Sequence, residues 1–126
     1  MSDYYILDEN HNPVPVSSFE EYSSWVNELN DKVAKTEFKD GTYISTMFLG
    51  FNHNIFGEGK PILFEIMLFP RGRICGYTRR YTSWEAAERG HKEVVADWVL
   101  KIIPNDLYSR HDSNHHIFLH ADWFSD

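Results

Sequence analysis

Three residues of the kind that bind metals or move protons stand out in this sequence: His53, Glu65 and His91. Two imidazoles and a carboxylate suit zinc or ferrous iron. A divalent metal held by them would activate water against a phosphoester or nucleotide. Each residue also has a plainer reading. Glu65 lies in Leu63-Phe64-Glu65-Ile66-Met67-Leu68-Phe69, on the strand face it shares with Leu63, Met67 and Phe69. An unpaired carboxylate is costly there. Arg79 or Arg80 of the next strand falls near its level, and a buried Glu–Arg pair would fix the register. His91 follows Gly90 on an apolar helical stripe, where a lone histidine commonly serves the core, bonded to a carbonyl or carboxylate. A mid-helix glycine costs about 1 kcal/mol against alanine, which points to close approach by another part of the chain. His53 stands in Gly50-Phe51-Asn52-His53-Asn54, where a strand runs into a loop. Such ends often carry sites, and the two asparagines equally suit a turn.

A second constellation is basic and aromatic. Arg71, Arg73, Arg79, Arg80 and Arg89 gather around one strand with Tyr77, Tyr81 and Trp84, while Glu85 and Glu88 offset them. From this set Arg79, Arg80 and Tyr81, together with His53, are the candidate contacts for a small anionic ligand. His111, His115, His116 and His120, with Asp112 and Asp122, form a histidine-rich tail suited to a metal or to pH sensing. The usual catalytic signatures are absent: no phosphate-binding glycine loop, no GxSxG and no HExxH. Cys75 is the single cysteine, which excludes an internal disulfide framework and an all-cysteine metal site and fits a reducing compartment.

The elements that must position these groups follow from periodicity. Tyr4–Leu7, a turn-rich Asp8–Pro13 and Val14-Pro15-Val16 read as an irregular hairpin, or a strand and a polyproline arm. Ser17/Glu20 or Ser18/Glu21 has capping-box spacing, and Phe19, Tyr22, Val26 and Leu29 recur with helical period up to Asn30-Asp31. Strands are expected over Val33–Phe38, Tyr43–Phe51, Ile62–Phe69 and Ile74–Tyr81, in an antiparallel meander because the connections are short. Thr82 and Glu85 open a second helix whose stripe is Trp84, Ala87, His91, Val94, Trp98 and Ile102, ending before Pro104. His116–Ala121 could add a strand. The expected fold is α+β, a four- to five-stranded antiparallel meander with two helices on one face.

The length of 126 residues suits one domain, residues 1–126, with the tail 105–126 packing on the body or partly mobile. Ile62–Phe69 is apolar on both alternating sets, so both faces of its strand need cover. With 16% aromatic residues, this points to a homodimer, the alternative being a monomer wrapped by its N-terminal segment or tail. The formal charge of −7 speaks against non-specific nucleic-acid binding. No apolar run is long enough to span a bilayer, and Met1-Ser2-Asp3 opens no signal peptide, so no membrane partner is expected.

Three stretches occur in a familiar order: Ile44-Ser45-Thr46-Met47-Phe48-Leu49-Gly50-Phe51-Asn52-His53, Leu63-Phe64-Glu65-Ile66-Met67-Leu68-Phe69, and Arg80-Tyr81-Thr82-Ser83-Trp84-Glu85-Ala86-Ala87 with Gly90-His91. Together they resemble a family of small uncharacterised bacteriophage and prophage proteins. Asn52 stands where that family commonly has Asp, and Ile66 where it has Thr. The resemblance implies a phage or prophage origin and a cytoplasmic setting in the bacterial host, and transfers no catalytic residue. The expectation is a non-enzymatic accessory module that engages a host protein or captures a small anionic ligand. The alternatives are a metal-dependent hydrolase using His53, Glu65 and His91, and a virion-assembly component.

Overall fold

A computed structural model describes residues 4–27, 30–54 and 59–104. The histidine-rich tail, Leu29 and the suggested strand at 116–121 lie outside the described residues. The chain runs β1 (Tyr4–Leu7), β2 (Pro13–Val16), α1 (Phe19–Trp25), β3 (Lys32–Glu37), β4 (Tyr43–Phe48), β5 (Phe64–Phe69), β6 (Thr78–Tyr81) and α2 (Trp84–Val99). Strands β3 to β6 form an antiparallel meander in sequence order, and β1 pairs with β2 in a separate hairpin. The fold is α+β, as the periodicity implies.

Alternation along the strands splits the main sheet into two unlike faces. Ile44, Thr46 and Phe48 of β4 and Phe64, Ile66 and Leu68 of β5 are buried, while the residues between them are only half-buried. α2 lies across the buried face and touches all four strands. Ala86, Ala87, Gly90, His91, Val94 and Trp98 supply its inner stripe. The stripe runs from the small residues Ala86, Ala87 and Gly90 at its N-terminal end to the larger Val94 and Trp98.

Both described helices begin on a serine cap. Ser83, one residue later than the Thr82/Glu85 spacing suggests, accepts from the Ala86 N–H at 3.1 Å. Ser18 accepts from the Glu21 N–H at 3.2 Å, and the Glu21 carboxylate accepts a hydrogen bond from the Ser17 hydroxyl instead of closing a capping box. α1 ends at Trp25, well short of the expected Leu29, because the Val26 backbone turns extended (ψ 136°). The helix packs on the β1–β2 hairpin, and Trp25 reaches the α2 side of the main sheet by meeting Phe48 edge-on at 5.7 Å. Gly50 seats this corner: at φ +77° it leaves no room for a side chain, since a Cβ would lie 2.2 Å from the Tyr22 ring. The hairpin is tied on by the Tyr5 N–H bonded to the Gly50 carbonyl at 2.9 Å. α2 stops at Val99, so Ile102 belongs to the exposed turn that follows and not to the apolar stripe.

Candidate functional site

His91 is held between two threonine hydroxyls of the sheet. Its Nε2 is 2.8 Å from Thr36 Oγ1 on β3 and its Nδ1 2.7 Å from Thr46 Oγ1 on β4. A neutral imidazole offers one N–H and one lone pair, which two hydroxyls satisfy together. Burial pushes the His91 pKa below its ordinary 6.5, so the ring is neutral near pH 7. The core reading of His91 holds, with hydroxyls in place of the expected carbonyl or carboxylate.

One residue earlier, Gly90 lies against the Tyr81 ring. A Cβ there would sit 2.0 Å from the Tyr81 hydroxyl oxygen and 2.3 Å from Cζ. The mid-helix glycine is therefore a docking notch for that ring. Tyr81 is buried, and loss of solvent pushes its pKa up to about 12. Arg79, two residues along the same face of β6, has its guanidinium 5.6 Å from the Tyr81 ring centroid and bonds Glu93 of α2 at 2.8 Å. Burial works against the Arg79 charge, but that bond and the neighbouring tyrosines outweigh it and raise its pKa.

Glu65 and Arg80 face the other way. They are Cα partners in the β5–β6 ladder, and Arg80 Nε lies 2.9 Å from Glu65 Oε2. The sequence offered Arg79 and Arg80 as alternatives, and alternation decides for Arg80: Arg79 pairs with Ile66, on the α2 side. Around this pair the open face carries Tyr43 stacked on Phe69 (4.4 Å, 19°), Met47, Met67 and Ser45. With Glu65 these residues line a shallow depression of about 180 Å3. Among the described residues no helix lies over it.

Both expected constellations are separated by this geometry. Glu65 and His91 lie on opposite sides of one sheet, so His53, Glu65 and His91 do not form a metal site. Among the described residues no group of three His, Cys, Asp or Glu side chains is placed to hold a metal. His53 sits past the end of β4 with Nδ1 2.8 Å from the Phe51 carbonyl, while Asn52 Oδ1 accepts from the Asn54 and Ile62 N–H groups. The turn reading accounts for both asparagines' neighbourhood. His53, Arg79, Arg80 and Tyr81 do not form one anion-binding surface either: Tyr81 is 2% exposed, and the two arginines point to opposite faces, each holding a carboxylate. Cys75 donates to the Leu68 carbonyl at 3.5 Å, and burial pushes its pKa up, away from thiolate chemistry.

A cavity of about 390 Å3 lies where the hairpin turn meets the start of α2. The sequence reading gives no sign of it. Its wall includes His11, whose ring stacks on Trp84 at 3.7 Å and 10°. His11 adopts φ +64° in a tight turn: Asp8 Oδ1 accepts from the Asn10 and Asn12 N–H groups at 2.8 and 2.9 Å. The turn was legible in Asp8–Pro13; that its tip would land on a tryptophan 73 positions later was not. Comparison with protein-family models, curated proteins and solved structures finds no match for the chain.

Proposed function

We propose that this chain is a non-enzymatic binding module, an accessory protein of phage or prophage origin in the bacterial cytoplasm, that engages a host protein through the open face of its sheet. The observation that carries this reading is the composition of that face. A Tyr43–Phe69 stack and two methionines surround a Glu65–Arg80 ion pair, with no described helix above them. Aromatic residues, methionine and arginine are enriched in protein interfaces, and methionine adapts to irregular partners. A free anion is the less favoured ligand, because it would have to displace Glu93 from Arg79 or Glu65 from Arg80. A protein partner can keep both pairs and bury the apolar groups around Glu65 and Arg80.

The test compares the intact chain with a Met67→Lys variant as baits in bacterial host extract after chemical cross-linking. A host protein held by the wild type and lost by the variant, at unchanged melting temperature, supports the proposal. Equal capture by both overturns it. A second copy of the chain is the competing occupant, and light scattering identifies it: a dimer that Met67→Lys converts to monomer assigns the face to self-association.

A further inference from the structure

The cavity beside the hairpin turn has features that neither the sheet face nor the core explains. At about 390 Å3 it lies at the small end of the range for small-molecule sites, roughly 300–1,000 Å3. Its lining is mostly polar, and Trp25 and Trp84, the latter with His11 stacked on its ring, supply the apolar part from α1 and α2. Glu9 and Lys32 put opposite charges on the same cavity. Among the described residues neither is in an ion pair, with each other or with any further group. Asp8 adds a second carboxylate, which the backbone N–H groups of Asn12 and Asn10 hold ionised. The walls are pre-organised: the hydrogen-bonded turn fixes His11 on Trp84, and the Asn30 side-chain amide donates to the Trp25 carbonyl. Preorganised walls reduce the ordering cost of binding.

We propose that this cavity binds a small amino-acid-type zwitterion, its ammonium group toward Glu9 and Asp8, its carboxylate toward Lys32, and its apolar side chain against Trp25 and Trp84. Separated charges of both signs select a dipolar ligand over a simple anion or cation, because either of those would satisfy one side and face repulsion from the other. The indole walls favour an aromatic or large aliphatic side chain. The site is independent of the sheet face proposed above for a protein partner.

Saturation-transfer NMR on the full chain tests this with four probes: L-phenylalanine, phenethylamine (ammonium only), 3-phenylpropionate (carboxylate only) and glucose. L-phenylalanine should bind, and each single-charge analogue should bind about tenfold more weakly, the loss expected for one charge-assisted contact. Glu9→Gln should weaken the discrimination against 3-phenylpropionate, with Asp8 keeping part of it, and Lys32→Met should remove that against phenethylamine. Both residues are exposed, so neither change should alter the melting temperature. Trp25→Leu is the less informative variant, since Trp25 also packs on Phe48. Phenethylamine binding as tightly as phenylalanine, glucose binding alone, or no binding by any probe overturns the proposal.

Discussion

At the scale of single residues, His91 and Gly90 make the joint between α2 and the sheet, and both can be probed without touching the open face. His91 is neutral in the fold and gains a proton readily once unfolded, so the unfolded chain binds more protons just below pH 6.5. Stability is therefore full above about pH 6.5 and is lost as pH falls toward the lowered pKa of the folded state. Urea titrations between about pH 7.5 and about pH 5 should show this slope, and His91→Gln, which keeps a donor and an acceptor but no titration, should flatten it. His91→Ala should cost about 2–3 kcal/mol by taking the partner from the buried Thr46 hydroxyl and the half-buried Thr36 hydroxyl. Gly90→Ala should be destabilising by about 1–3 kcal/mol, although alanine is the better helix former, because the Tyr81 ring occupies the space its Cβ needs. Combining it with Tyr81→Leu should recover part of that loss in a double-mutant cycle, and strict additivity would show that the ring is not the obstacle.

The elements differ in how much of the fold rests on them. α2 covers the sheet with its buried stripe, whereas α1 has no buried residue of its own and packs on a two-stranded hairpin. The same cap mutation should then have unequal effects. Ser83→Ala should lower global stability by about 1 kcal/mol, the usual loss for an N-cap serine, because α2 unfolds only with the core. Ser18→Ala should leave the denaturation midpoint nearly unchanged and instead speed amide exchange in α1, which can open locally. Equal shifts in the two midpoints would mean that α1 belongs to the same cooperative unit. The helix ends also mark where pattern reading stops. Val26 and Ile102 continue their apolar stripes in sequence, but the backbone leaves the helix at Val26 and after Val99.

Across the whole molecule, one sheet separates two environments. The α2 side holds the core, with Thr36, Thr46, Arg79 and Tyr81 meeting the helix; the open side holds Tyr43, Met47, Glu65, Met67, Phe69 and Arg80. Met67→Lys on the open side should change stability by no more than about 0.5 kcal/mol, as for other surface substitutions, while abolishing partner capture or self-association. A large loss of stability in the isolated chain would mean that this face is already packed within the monomer. The same division explains why a zinc or iron site built from His53, Glu65 and His91 cannot form: its members lie on opposite sides of a hydrogen-bonded sheet.

The strand and helix pattern, the antiparallel meander and the core role of His91 were legible in the sequence, because each depends on local period, turn chemistry or the cost of burying a polar group. Gly90 also pointed to a close contact, since glycine inside a helix is costly relative to alanine. Which arginine meets Glu65 required the register, because adjacent residues of a strand point to opposite faces and a shift of one residue exchanges Arg79 for Arg80. The cavity beside the His11–Trp84 stack was beyond sequence reading altogether. It arises where a hairpin turn docks on the start of a distant helix, and that docking is fixed by Gly50, Tyr22 and the hairpin's hydrogen bond to the sheet, contacts that no local pattern encodes.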